Sequence, residues 1–168
     1  VKRFLQKALT GIAQDGSAFT AIYLDIWNLD DLEVRREWHN IDILLLSEAN
    51  QLAIIIENKI ESSEHSNQLS RYYQSVEAQF HGWKILGLYL TPEGDDPSDE
   101  RYLPVSYEIV CTLIENISES RKSTLGPDIH TLMQHYTTML RRHILSGSKI
   151  EELCQKIYRK HQRALDLI

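Results

Sequence analysis

The stretch "IDILLLSEANQLAIIIENKI", residues 41–60, places Asp42, Glu57 and Lys59 at the ends of two apolar runs. Charges at the ends of core strands are costly unless they are paired, hydrated or bound to a metal. The runs, about 40–47 and 52–60, read as an antiparallel hairpin that turns around "SEANQ". Side chains alternate between strand faces, so Ala53, Ile55, Glu57 and Lys59 share one face and Ile54, Ile56, Asn58 and Ile60 the other. A turn near Ala49 brings residue 42 opposite a position near 57, making Asp42 and Glu57 cross-strand neighbours. Two carboxylates that close repel unless a cation lies between them. Oxygen ligands on a rigid strand pair suit Mg²⁺, which keeps several waters and accepts phosphate oxygens. A lysine beside them can orient or help deprotonate a metal-bound water, or stabilise charge on a phosphate in transfer. The chemistry this implies is metal-assisted phosphodiester hydrolysis. The competing reading makes Glu57 and Lys59 solvated strand-end charges, with Lys59 neutralising Asp42.

The elements that must hold these residues follow from local pattern. Residues 2–9, "KRFLQKAL", put Phe4, Leu5, Ala8 and Leu9 on one helical face. Residues 19–27, "FTAIYLDIW", and 33–38, "EVRREW", read as strands with partial alternation, ahead of the hairpin. Ser66 is the expected N-cap of a helix to about Phe80, with Leu69, Tyr72, Tyr73, Val76 and Phe80 on its apolar side. A buried strand over 84–92 ends at Pro92, and 93–100, "EGDDPSDE", is a polar loop. Helices are expected near 107–119, 127–145 and 149–166, the last opened by a Ser148–Glu151 capping box. The order predicts an α/β (α+β) fold: a mixed central β-sheet flanked by helices, with a C-terminal helical extension. The division expected is an α/β core over 1–120 and a basic helical extension over 121–168, within one domain.

"NID", residues 40–42, followed by "IIIENK", residues 54–59, resembles the PD-(D/E)XK nuclease superfamily, whose signature is an Asp, a hairpin, then (Asp/Glu)-x-Lys. "QLSRY" sets Gln68 and Tyr72 at the spacing of the Q-x-x-x-Y motif of RecB-like and lambda-exonuclease-like members. At i and i+4 on a helix, the two side chains lean over the same end of the sheet. The resemblance covers about residues 1–115 and looks closest to a bacterial branch with "NIDI…IIIENKI…Q…Y" patterns, some members of which are associated with phage defence. It implies a restriction-endonuclease-like core and a nuclease dependent on Mg²⁺ or Mn²⁺. By the resemblance, Asp42 and Glu57 ligate the metal together with the backbone carbonyl of Asn58. Lys59 acts on the attacking water, and Gln68 and Tyr72 contact the phosphate or buttress the site. The sequence departs from the pattern at Ile41, where the superfamily often has Pro. It departs again in residues 1–14, which contain no Asp or Glu where such members carry a glutamate on the first helix. Because the chain starts at Val1 rather than Met, we expect that residue upstream in a longer protein; the alternative is an incomplete site.

Composition bounds the rest. The 168 residues are 42% hydrophobic and 25% charged, ordinary for a globular chain. No stretch approaches the ~18 apolar residues of a membrane span, and with no signal peptide visible a cytoplasmic setting is expected. Cys111 and Cys154 have no CxxC partner, which favours reduced thiols over a disulfide scaffold. The net charge of −6 is uneven: residues 1–120 carry nine Lys/Arg against twenty Asp/Glu, and residues 121–168 nine against four. Lys156, Lys160 and Arg163 share one helical face, which from charge alone reads first as a solvated helix face and otherwise as a local patch for nucleic acid. Arg35 and Arg36 are candidates for phosphate contact, or equally offset Glu33 and Glu37. His39 stands near Asp42. His130, His135 and His143 lack zinc spacing, and there is no Gly-rich phosphate loop and no G-x-S-x-G elbow. The substrate expected is DNA, with RNA open. The alternatives are a catalytically inactive nuclease-fold module that binds nucleic acid or a protein through the basic helix, and a homo-oligomer joined through the C-terminal helices.

Overall fold

The two central runs are apolar almost throughout, as strands buried on both faces must be. In the computed structural model, which describes residues 1–10, 21–60, 64, 67–145, 153–154, 157–158 and 160–161, they become β2 (Ile41–Ser47) and β3 (Leu52–Asn58) at the middle of a five-stranded sheet. β1 (Glu33–Trp38), β4 (Lys84–Thr91) and β5 (Tyr102–Ser106) complete it in the order β1-β2-β3-β4-β5. β1, β2 and β3 pair antiparallel, whereas β3–β4 and β4–β5 are parallel. The sheet is therefore mixed, as expected. β5 was not anticipated: its five residues include Pro104, which cannot donate to a ladder and is tolerated because the strand ends the sheet.

The helices of the described residues are α1 (Lys2–Leu9), α2 (Ala21–Ile26), α3 (Gln68–Gln79), α4 (Tyr107–Ser120) and α5 (Pro127–His143). α2 corrects the expected strand over 19–27. Short apolar runs with aromatic and β-branched residues do not distinguish strand from buried helix by pattern alone. Here tertiary bonds favour the helix: Lys2 Nζ donates to the Asp25 carbonyl at 2.9 Å and to that of Trp27 at 3.3 Å, while Gln6 Nε2 donates to the Asp25 carboxylate. The expected Ser66 cap and Ser148–Glu151 box lie outside the described residues. α3 instead follows Asn67, whose φ of 56° is left-handed.

α3 packs on β3 and β4. Its Leu69, Tyr72 and Val76 join Ile41, Leu44, Leu46, Ala53, Ile55, Tyr89 and Tyr102 in one core cluster, with Tyr73 and Phe80 against it. That is the apolar stripe read from sequence, and each such side chain contributes roughly 1.5–3 kcal/mol by leaving water. Leu45, Ile54, Ile56, Leu86 and Leu88, of the opposite parity, are buried as well. Close packing at the β4–β5 seam needs Gly87, because a Cβ there would lie 2.7 Å from the Tyr102 ring. Tyr102 in turn donates its hydroxyl to the Leu69 carbonyl at 3.1 Å, tying α3 to the sheet.

The chain divides into two compact units, Val1–Leu113 and Ile114–Ile168. The first contains the sheet. In the second, Arg141 pairs with Glu115 at 2.8 Å. Among the described residues no helix is long and apolar enough to cross a membrane.

Candidate active site

β3 delivers Glu57 and Asn58 at its end and leads into Lys59. The register sets Ile43 opposite Ile56, and one further step along it brings Asp42 opposite Glu57. Here the end of β1 and the turn after it leave regular strand backbone: Glu37, His39 and Asn40 have φ of 54°, 50° and 69°. The paired residues run from Arg36↔Ile43 to Trp38↔Ile41, passing over the position facing Asp42.

Each group is held in place. Asp42 Oδ2 accepts from the Asn58 backbone N–H at 2.8 Å. Asn58 Oδ1 accepts from the Tyr107 hydroxyl at 2.8 Å, and the Lys59 N–H donates to the Leu90 carbonyl at 2.9 Å, extending the β3–β4 ladder past the strand end. Glu57 is 1% exposed. Its Oε1 receives Lys59 Nζ at 3.0 Å and Gln68 Nε2 at 2.9 Å. The other Gln68 hydrogen goes to the Tyr72 hydroxyl at 2.8 Å. Gln68 and Tyr72 thus do lean over the same strand end, and Tyr72 also serves the core. The solvated strand-end reading fails for Glu57, and Lys59 pairs with Glu57 rather than neutralising Asp42.

The electrostatics explain what is left over. Burial pushes the Glu57 carboxyl above the ordinary carboxylate value; Lys59 pulls it back, and the charge of Asp42 pushes it up again. Desolvation of several kcal/mol per buried ion is commonly larger than one ion pair returns, and here it wins. Burial acts on Lys59 in the opposite sense, lowering it, but the hydrogen bond and charge of Glu57 together with Asp42 leave the ammonium above its ordinary value. Lys59 is therefore a cation at neutral pH. Two buried oxygens, Glu57 Oε2 and Gln68 Oε1, have no hydrogen-bond partner, on groups bonded to each other. Such orphans cost about 1–3 kcal/mol each. An oxygen-only donor set of this kind, beside a second carboxylate, fits a hard divalent cation.

Among the described residues no three His, Cys, Asp or Glu converge as a metal cluster, and α1 carries no acid. Among the described residues the carboxylates at this strand end are Asp42 and Glu57, and the charge of Glu64 also reaches Glu57. A sequence model described as the PD-(D/E)XK nuclease superfamily matches residues 1–160. The chain belongs to the PD-(D/E)XK nuclease superfamily. Comparison with curated proteins and with solved structures gives no match. Membership implies nuclease activity on a nucleic acid, and PD-(D/E)XK nucleases generally use divalent metal ions. The five-stranded mixed sheet with flanking helices is consistent with the restriction-endonuclease-like fold of the superfamily.

The remaining candidates of this PD-(D/E)XK chain belong to both units, Arg35 and Arg36 to the first and Lys156, Lys160 and Arg163 to the second. Arg35 is bound by Glu33 of its own strand at 2.8 and 3.0 Å and lies 5.9 Å from the Phe80 ring. Arg36 is exposed. Lys160 is exposed, whereas Lys156 and Arg163 lie outside the described residues. Sequence reasoning missed the Tyr107–Asn58 bond and the orphaned oxygens. Tyr107 is 49 residues from Asn58, and nothing in local pattern points from one to the other.

Proposed function

We propose that this protein is a Mg²⁺- or Mn²⁺-dependent nuclease acting on DNA, in DNA processing or phage defence. The observation that carries the reading is the Glu57 carboxylate: buried, with one oxygen held by Lys59 and Gln68 and the other without a partner beside Asp42. Asp42 and Glu57, with the Asn58 carbonyl, would hold the ion. When bound, a divalent ion supplies a nucleophilic water at neutral pH and neutralises charge on the phosphate. Lys59 keeps its proton on Nζ and presents a fixed positive charge to the water and to the phosphate oxygens as charge builds on them. Gln68 holds Glu57 in one orientation and is itself held by Tyr72. Asn58, fixed through its N–H and its side chain, keeps Asp42 from rotating away. Arg35, Arg36 and the basic face of Lys156, Lys160 and Arg163 are proposed contacts to the substrate backbone.

The test is cleavage of linear, circular and single-stranded DNA by wild type and Lys59→Ala with Mg²⁺, Mn²⁺ or a chelator. We expect activity in wild type with metal, abolished by the chelator and reduced roughly 10²–10³-fold by the substitution, the size of losing one preorganised charge. Equal cutting by both proteins would remove Lys59 from the mechanism. A second reading, an inactive binding module, draws on the acid-free α1; it predicts DNA binding that persists in chelator and no cutting under any condition.

A further inference from the structure

A hollow of about 290 Å³ lies between the β1–β2 turn and α3, lined by His39, Asn40, Arg71, Tyr72 and Ser75. It adjoins the Glu57 cluster through Tyr72, whose hydroxyl accepts from the same Gln68 nitrogen that reaches Glu57. No acidic residue lines it. Arg35, Arg101 and Arg141 are each bound by a carboxylate, of Glu33, Asp99 and Glu115. Arg71 is different: it is exposed and its guanidinium has no ion-pair partner among the described residues. His39 is set by the left-handed turn and by its ring contact with Trp38 at 4.2 Å between centroids.

We infer that this hollow is a subsite for a backbone phosphate of the nucleic-acid strand, next to the bond that is cut, held by Arg71 and His39. The inference rests on the nuclease reading above. The arginine fork matches phosphate oxygens in two parallel hydrogen bonds, and Asn40 adds a neutral polar group, while the Ser75 hydroxyl already donates to the Arg71 carbonyl at 2.9 Å. A base is a poorer occupant. Stacking needs an open aromatic face; of the two rings in the lining, Tyr72 is 8% exposed and His39 already lies against Trp38. A polyanion approaching two carboxylates also needs positive charge at their flank, and Arg71 supplies it one helical turn from Gln68 and next to Tyr72 in sequence.

The test uses Lys59→Ala as the background, so that DNA stays intact in Mg²⁺, and follows fluorescence anisotropy of short single- and double-stranded DNA over a salt series. Adding Arg71→Ala should weaken binding roughly tenfold at low salt, as expected for a lost hydrogen bond to a charged group. It should reduce the slope of log affinity against log salt by roughly 0.9 for duplex. Arg71→Lys should keep the slope, because a point charge still neutralises a phosphate, and His39→Ala should weaken binding less. With Lys59 intact, Arg71→Ala should raise KM and leave kcat nearly unchanged; the melting temperature should not move. An unchanged slope and affinity, in a protein that still cuts DNA, overturns the subsite and leaves the nuclease reading standing. Loss of inorganic phosphate binding without loss of DNA affinity overturns it too, assigning the hollow to a free anion. If wild type neither binds nor cuts DNA, the nuclease reading falls and this inference falls with it.

Discussion

At the scale of single residues, Glu57 is where folding and function oppose each other. Burial, then the charge of Asp42, lift its carboxyl above the ordinary value, against the pull of Lys59. The sign follows from linkage: a carboxyl whose folded value is raised is most stabilising below its unfolded value, and that stability is lost as pH rises through the folded one. Metal-free wild type should therefore lose thermal stability relative to Glu57→Gln as pH climbs from the ordinary carboxylate value of 4.5 toward neutrality. Mg²⁺ should reverse the comparison, raising the melting point of wild type by mass action and leaving the variant where it was. Melting curves across pH, with and without Mg²⁺, check both halves; parallel pH curves would mean that Glu57 holds its proton equally well in the folded and unfolded chain. That Glu57, Lys59, Gln68 and Tyr72 gather at one strand end opposite Asp42 was legible in the sequence, from strand alternation, the i, i+4 helix spacing and the resemblance to the PD-(D/E)XK pattern. That Lys59 takes Glu57 and not Asp42 was not legible, since both geometries satisfy the same alternation.

At the scale of elements, the hairpin, α3 and β4 came through because their apolar patterns are long and agree with their turn residues. α2 and β5 did not: six and five residues respectively, they are too short for pattern to outweigh interactions made elsewhere in the chain. Two interactions of this class can be tested directly. Gly87→Ala would press a methyl against the Tyr102 ring and the Arg101 carbonyl, neither of which can move without disturbing the Leu69 bond. A loss of about 1–3 kcal/mol is expected in chemical denaturation. Asp31 ties the segment before β1 to the β2–β3 turn, accepting from the Ala49 N–H at 3.0 Å and from the Ser47 hydroxyl at 2.8 Å. The Ala49 bond first, then that of Ser47, hold its carboxyl below the ordinary value. A lowered carboxyl gives stability above its unfolded value and surrenders it as pH falls through the folded one. Asp31→Asn should therefore lower the melting temperature at neutral pH, with the difference fading in acid; a constant difference would assign the effect to shape instead of charge.

At the scale of the whole molecule, charge is segregated, with the acidic excess in residues 1–120 and the basic excess beyond. An acidic protein that cuts a polyanion needs local positive charge, because affinity for nucleic acid comes largely from neutralising phosphates. Converting Lys156, Lys160 and Arg163 to Glu should weaken DNA binding and flatten its salt dependence by roughly 0.9 for each phosphate no longer neutralised. Unchanged affinity at low salt would take that face out of the interface. The sheet adds a consequence of a different kind. β1 ends the sheet among the described strands, and an end strand offers unpaired backbone groups on which a second chain can grow. Along its six residues β1 carries Glu33, Arg35, Arg36 and Glu37, with a left-handed kink at Glu37. Any strand laid beside it must strip water from those charges and match that kink, so the strand that shapes one side of the site also resists aggregation.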